Sequence, residues 1–330
     1  MIHRIFATGL LIAGLTSTAL ASHGRNAGSL LLYPEFDNRA GVVTVLTVTN
    51  VDAAEEAEDI RVHFHYIGKY DVDGEPLDCE EFDRFELLTP KDTLTLITNA
   101  HNPEHERGYV YLYAVDADNT SIPITHNFLT GNVMTVDGLE AFEYSVNPVA
   151  YLGMTPQGTN TDLDLDELRD LDDLEYTASP RELLIPRFLG QGNAYNSELI
   201  MIALTGGTAF ETTVDFLIFN DNEEIFSSEH TFKCWDRVPL LDISNIFAND
   251  FLANWTNDDP DELFGAPHIE TGWIRMIGAF ASSTATTIDD PSIYAVLIER
   301  IGNRGAADLP FERGRRTNGA LLEQGLQPRR

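Results

Sequence analysis

Leu30-Leu31-Leu32-Tyr33-Pro34-Glu35-Phe36 returns later in the chain as Leu183-Leu184-Ile185-Pro186-Arg187-Phe188. A run rich in β-branched residues follows each, Val42 to Asn50 in the first half and Glu198 to Thr205 in the second. Next come Ile60 to Ile67 and Thr213 to Phe219, both alternating and aromatic. Phe82-Asp83-Arg84-Phe85-Glu86-Leu87-Leu88 then lines up with Trp235-Asp236-Arg237-Val238-Pro239-Leu240-Leu241, each just behind a cysteine. Finally Arg107-Gly108-Tyr109-Val110-Tyr111 parallels Thr271-Gly272-Trp273-Ile274-Arg275. The matches keep the same order in both halves, which is the signature of an internal duplication.

Working outward from these runs, each half reads as short strands separated by turn-rich segments. In the first half they fall at 29–36, 42–50, 60–67, 83–89, 93–98, 108–115 and 122–129. In the second they fall at 182–189, 198–205, 212–219, 229–235, 237–243, 272–280 and 292–301. Period-two alternation at this spacing predicts β-sandwiches, and helical periodicity is nearly absent from both halves. Between them, Thr161 to Glu175 carries eight carboxylates and one arginine. Leu165, Leu168, Leu171 and Leu174, three residues apart, predict a short amphipathic helix there. After Asn303 six arginines face three carboxylates, which reads as a basic flexible tail, either poorly ordered or an arm held on the acidic body by charge.

The chain has 330 residues, 43% of them hydrophobic, enough to bury a substantial core. Its formal net charge of -32 argues against nucleic acid or an anionic membrane as partner, since both recruit clustered positive charge. Met1-Ile2-His3-Arg4, an apolar run from Ile5 to Leu15, and Ala19-Leu20-Ala21 compose a secretory signal peptide cleaved before Ser22. No later run is apolar for long enough to span a bilayer. The expected setting is therefore exported, periplasmic or extracellular. The only cysteines are Cys79 and Cys234. An oxidising compartment allows a bridge between them, and two buried thiols remain the other reading.

Few residues suggest chemistry. His63 and His65, two apart on a predicted strand, present both imidazoles to one face and compose the best candidate for zinc or copper. A third ligand has to come from elsewhere, with His101, His105 and His126 in the same half. Asp162, Asp164, Asp166, Asp170 and Asp173 match positions 1, 3, 5, 9 and 12 of a calcium loop, but Glu167 replaces the glycine at position 6. Tyr109, Tyr111 and Tyr113 share one strand face and could stack on sugar rings, or simply pack beneath a loop. Asp71-Val72-Asp73-Gly74-Glu75 reads as a hairpin turn. There is no nucleophile elbow and no phosphate-binding glycine loop.

Taken together, Leu30 to Phe36, Leu46-Thr47-Val48-Thr49-Asn50 and a single cysteine ahead of Phe82-Asp83-Arg84 resemble exported bacterial proteins of unassigned function. The Leu-Thr-Val-Thr-Asn run also looks like the second strand of immunoglobulin-like surface modules. The resemblance covers most of the first half and, more weakly, the second. It implies a fold and an exported setting, and no functional residue is carried over.

These readings give an all-β chain of two tandem immunoglobulin-like β-sandwiches joined by a short acidic helix. Its segments are a signal peptide (1–21), a first sandwich (22–160), a linker helix (161–180), a second sandwich (181–302) and a basic flexible tail (303–330). The expected role is a non-enzymatic binding or structural module of the cell envelope or extracellular space. A glycan or an envelope protein is the expected partner, and no cofactor is required. The alternative is a carbohydrate-active or metal-dependent enzyme with its site in the first half.

Overall fold

The computed structural model describes residues 26–192, 194–255 and 269–321. The expected signal peptide lies outside these residues, as do residues 322–330. In the first half the strands are β1 (Leu30–Asp37), β2 (Val42–Asn50), β3 (Ile60–Asp71), β4 (Pro76–Leu88), β5 (Thr93–Ile97), β6 (His105–Asp116), β7 (Leu129–Asp137), β8 (Phe142–Val146) and β9 (Val149–Tyr151). A single helical turn, α1 (Thr98–His101), follows β5. The strands form two antiparallel sheets, in the orders β4-β3-β6-β1-β9 and β5-β2-β7-β8. Alternation makes them: every second residue of β2 is buried, as expected of a strand with one face on a core. The sheets face each other, since Tyr33 on β1 donates its hydroxyl to the Thr47 carbonyl on β2 at 2.8 Å.

A short strand, β10 (Arg169–Leu171), separates the halves. The second half contains β11 (Glu182–Leu189), β12 (Glu198–Ala203), β13 (Glu211–Asn220), β14 (Ile225–Phe232), β15 (Trp235–Pro239), β16 (Thr271–Ser282), β17 (Thr287–Asp289), β18 (Ile293–Ile301), β19 (Arg304–Asp308) and β20 (Phe311–Arg313). The helices α2 (Leu240–Ile243) and α3 (Asn249–Trp255) follow β15, and β21 (Gly319–Leu321) ends the described chain. The sheet orders are β14-β13-β16-β11-β20, with β17 added to β16, and β15-β12-β18-β19. The first half's strand order is thus met again.

The sequence matches have local physical causes. In both halves the pairing register slips across a proline, between Tyr33 and Phe36 on β1 and between Ile185 and Phe188 on β11. Proline cannot donate to the ladder and so favours an interruption. The phenylalanine after each slip lies opposite a glycine, Phe36 opposite Gly108 and Phe188 opposite Gly272. A Cβ at Gly108 would come within 1.9 Å of the Ile67 carbonyl oxygen, and one at Gly272 within 2.3 Å of the Phe219 oxygen. Only glycine tolerates that approach.

Three expectations are corrected. Thr161–Ser179 holds no helix. Its carboxylates cap their own backbone instead: Asp162 accepts from the N–H of Leu165 and Glu167, Asp164 from Asp166, and Asp166 from Leu168. Aspartate favours such turns over a helical ladder. The tail is not a free arm as far as Leu321, because β19 extends a sheet, β20 pairs with β11, and β21 pairs with β10. Arg315 pairs with Asp173 at 2.6 Å and ties this return to the acidic segment. Finally, Phe82-Asp83-Arg84 and Trp235-Asp236-Arg237 are not equivalent. The first lies on β4 and the second on β15, which takes the place of β5 in the sheet order.

Cys79 and Cys234 are joined by a disulfide, with Cα atoms 6.5 Å apart. It staples β4 to the connection between β14 and β15. Beside it, Trp235 donates its indole N–H to the Pro34 carbonyl at 2.8 Å. Arg237 pairs with Glu35 at 2.7 Å and with Glu198 at 2.6 Å. One continuous hydrophobic cluster runs through both halves.

Candidate functional site

The sequence candidates of the first half converge on one sheet face. Register places His63 opposite Tyr113 and Phe85, His65 opposite Tyr111 and Asp83, and Ile67 opposite Tyr109 and Glu81. Residues opposite one another on adjacent strands share a face, so both histidines and all three tyrosines lie together. The Tyr113 hydroxyl lies 3.1 Å from His63 Nδ1 and 3.2 Å from His65 Nε2. It has one proton, so it donates to one imidazole and accepts from the other. His65 Nδ1 meets Glu81, and His63 Nε2 lies 3.5 Å from Asp83. The bonded chain is Glu81, His65, Tyr113 and His63, and His63 Nε2, beside Asp83, is buried with no hydrogen-bond partner among the described residues.

The acidic segment covers this chain. The Arg169 guanidinium sits 5.0 Å over the Tyr113 ring. Tyr176 is buried beside Thr161, whose hydroxyl is 3.0 Å from the Tyr176 hydroxyl. Tyr109, Tyr111 and Tyr113 are 6%, 0% and 4% exposed, so the row offers no platform to solvent. Burial, and then the neighbouring His65, push the His63 imidazole down to about 2. Burial raises the Tyr113 phenol, against the opposing pull of Arg169. Burial also lifts Glu175 to about 7.

The candidate third ligands His101, His126 and His105 are engaged elsewhere. His101 bonds to the Tyr66 hydroxyl at 2.8 Å, and His126 lies between Asn50 and Gln157. His105 lies 3.4 Å from the Asn102 amide. Among the described residues, the one group of three or more potential ligands with mutually close atoms is Asp162, Asp164 and Asp166. These are the opening positions of the calcium spacing. Asp173, its last position, instead receives Arg315 and the Ala178 N–H. Asp71 accepts from the N–H of Asp73 and Glu75, which closes the expected turn.

The corresponding face of the second half is differently dressed. Aligning Gly108 with Gly272 places Asp215 where His63 stands, Leu217 at His65, Arg275 at Tyr111 and Ile277 at Tyr113. Ser227 and Glu229 on β14 complete a groove of about 550 Å³ with these four residues. At one end of the face Phe219 and Trp273 stack in parallel, with ring centroids 4.0 Å apart. Asp215, Ser227, Glu229 and Trp273 are exposed. The centre of one sheet face is therefore covered, and its counterpart is open. The sequence does not single out this second set. Its residues are visible there only as departures from a histidine and tyrosine pattern in the first half.

No protein-family model matches the chain, and no curated protein resembles it closely enough to count as a relative.

Proposed function

We propose that the protein is an exported, non-enzymatic binding module of the cell envelope or extracellular space, built from two tandem immunoglobulin-like sandwiches. The contrast between the two equivalent faces carries this reading. The first concentrates the groups able to do acid–base work, and its central Tyr113 is buried beneath the Arg169 guanidinium. The second is open and mixes aromatic, apolar, hydroxyl and charged side chains, the makeup of a recognition surface. The Cys79–Cys234 disulfide suits an oxidising compartment, where such bonds persist. The common strand order supports tandem modules.

Co-sedimentation of the non-reduced protein with isolated envelope and extracellular polymer fractions tests the reading. Saturable binding without release of soluble sugar or peptide is the expected result. Turnover of the bound material would overturn it.

A further inference from the structure

The open face of the second half forms a grid of three rows, fixed by strand register. Ile225, Phe219 and Trp273 lie in the first row, Ser227, Leu217 and Arg275 in the second, and Glu229, Asp215 and Ile277 in the third. Two features of the grid do nothing evident for the fold. Asp215 and Glu229 stand directly opposite one another, both exposed, and neither is held by an ion pair or hydrogen bond among the described residues. Like charges directly opposite destabilise a strand pair. The Trp273 indole is 36% exposed although it stacks on Phe219. A third feature is a spare donor. Arg275, which lines the groove, is anchored through Nη2 to Glu182 Oε1 at 2.5 Å, and its buried Nε has no acceptor among the described residues.

Resting on the binding-module reading above, we infer that this groove binds a neutral glycan chain, with a sugar ring against the Trp273–Phe219 pair and its hydroxyls on Asp215, Glu229 and Arg275. A sugar ring has an apolar C–H face and a rim of hydroxyls. The aromatic row takes the first, and fixed carboxylates take the second through charge-assisted hydrogen bonds. Other occupants fit worse. A polyanion meets two unpaired carboxylates and a chain of net charge -32. A purely apolar ligand would strip water from those carboxylates and return nothing. An extended peptide adds along a free sheet edge, here the outer side of β14, whereas this groove lies on the face across β14, β13 and β16.

The test is affinity electrophoresis of the full, non-reduced protein in native gels cast with soluble β-glucan, xylan, galactomannan or dextran. At least one polymer should retard the wild type. Trp273→Ala and the double variant Asp215→Asn, Glu229→Gln should each weaken that retardation about tenfold or more. The double variant changes only exposed groups, so its fold is retained and its result is decisive even where Trp273→Ala misfolds. The retarding polymer should also shield Trp273 from oxidation by N-bromosuccinimide, with buried Trp235 as internal reference. No retardation by any of these polymers, or equal retardation of wild type and double variant, overturns the inference. If envelope co-sedimentation survives that outcome, the glycan assignment falls alone. Release of reducing ends from a retarding polymer overturns the non-enzymatic reading instead.

Discussion

His63 stacks on Phe85 with centroids 3.8 Å apart, shares the Tyr113 hydroxyl with His65, and faces Asp83, yet burial holds its ring neutral. Its folded value, about 2, lies below its unfolded value of 6.5. The unfolded chain therefore takes up the proton first as pH falls. The stability this group contributes is complete above pH 6.5 and is lost progressively toward pH 2. His105, lowered to about 4, and His101 and His126, both lowered, act in the same direction. Glu175 and Asp170, raised to about 7 and about 6, act oppositely, stabilising below their unfolded values and losing that as pH rises through the folded ones. His63→Phe isolates one slope, because the other groups are common to both proteins. In urea melts at pH 7, 6 and 5, wild type should lose up to about 1.4 kcal/mol per unit relative to the variant. Parallel curves would show that His63 titrates normally. The cluster was partly legible in the sequence, since period-two spacing puts His63 with His65 and Tyr109 with Tyr113 on shared faces. That the two faces are one face follows from strand pairing, and that Tyr113 is covered follows from Arg169 in a later segment of the chain. Neither can be read from spacing.

At the scale of elements, the strands were the legible part and the acidic segment was not. β2 throughout, and β13 from Val214 onward, alternate strictly enough to fix which side is buried. The leucines of the acidic segment repeat at helical spacing, but Leu163, Leu165 and Leu174 end exposed while Leu171 is fully buried. Periodicity misled because aspartate side chains compete for the backbone donors that a helix needs. The Cys-Phe/Trp-Asp-Arg likeness misled for another reason. Short polar and aromatic matches recur by chance, whereas the Pro34/Pro186 slips and the Gly108/Gly272 approaches are imposed by the ladder. One substitution distinguishes loop from helix. Leu165 is held at φ 65°, a left-handed conformation that costs a non-glycine residue about 1–2 kcal/mol. Leu165→Gly removes that strain at an entropic cost of about 0.5–1 kcal/mol, so the variant should be more stable by about 0.5–1 kcal/mol. In a helix the same change would lose about 1 kcal/mol. A lowered urea midpoint would return the segment to the helical reading.

Across the whole molecule the question is whether the two halves unfold separately. Duplicated modules with private cores would. The junction argues otherwise. Glu35 is 1% exposed, receives the Tyr144 hydroxyl and pairs with Arg237 of the other half, and Trp235 is sealed against Pro34. Gly305 lies close enough to Phe142 that a Cβ there would come within 2.6 Å of its ring, so β19 and β8 also meet across the junction. These contacts are noncovalent and survive reduction. The disulfide closes a sequence separation of 155 residues, and its removal should cost roughly 2–5 kcal/mol, chiefly by freeing the unfolded chain. Loss of a chain constraint lowers the temperature of the transition without dividing it, because the shared cluster still has to open at once. Calorimetry of the Cys79→Ser, Cys234→Ser variant should therefore give a single lower transition, with calorimetric and van't Hoff enthalpies still equal. Two resolved transitions would mean that the cystine alone holds together two bodies that fold independently.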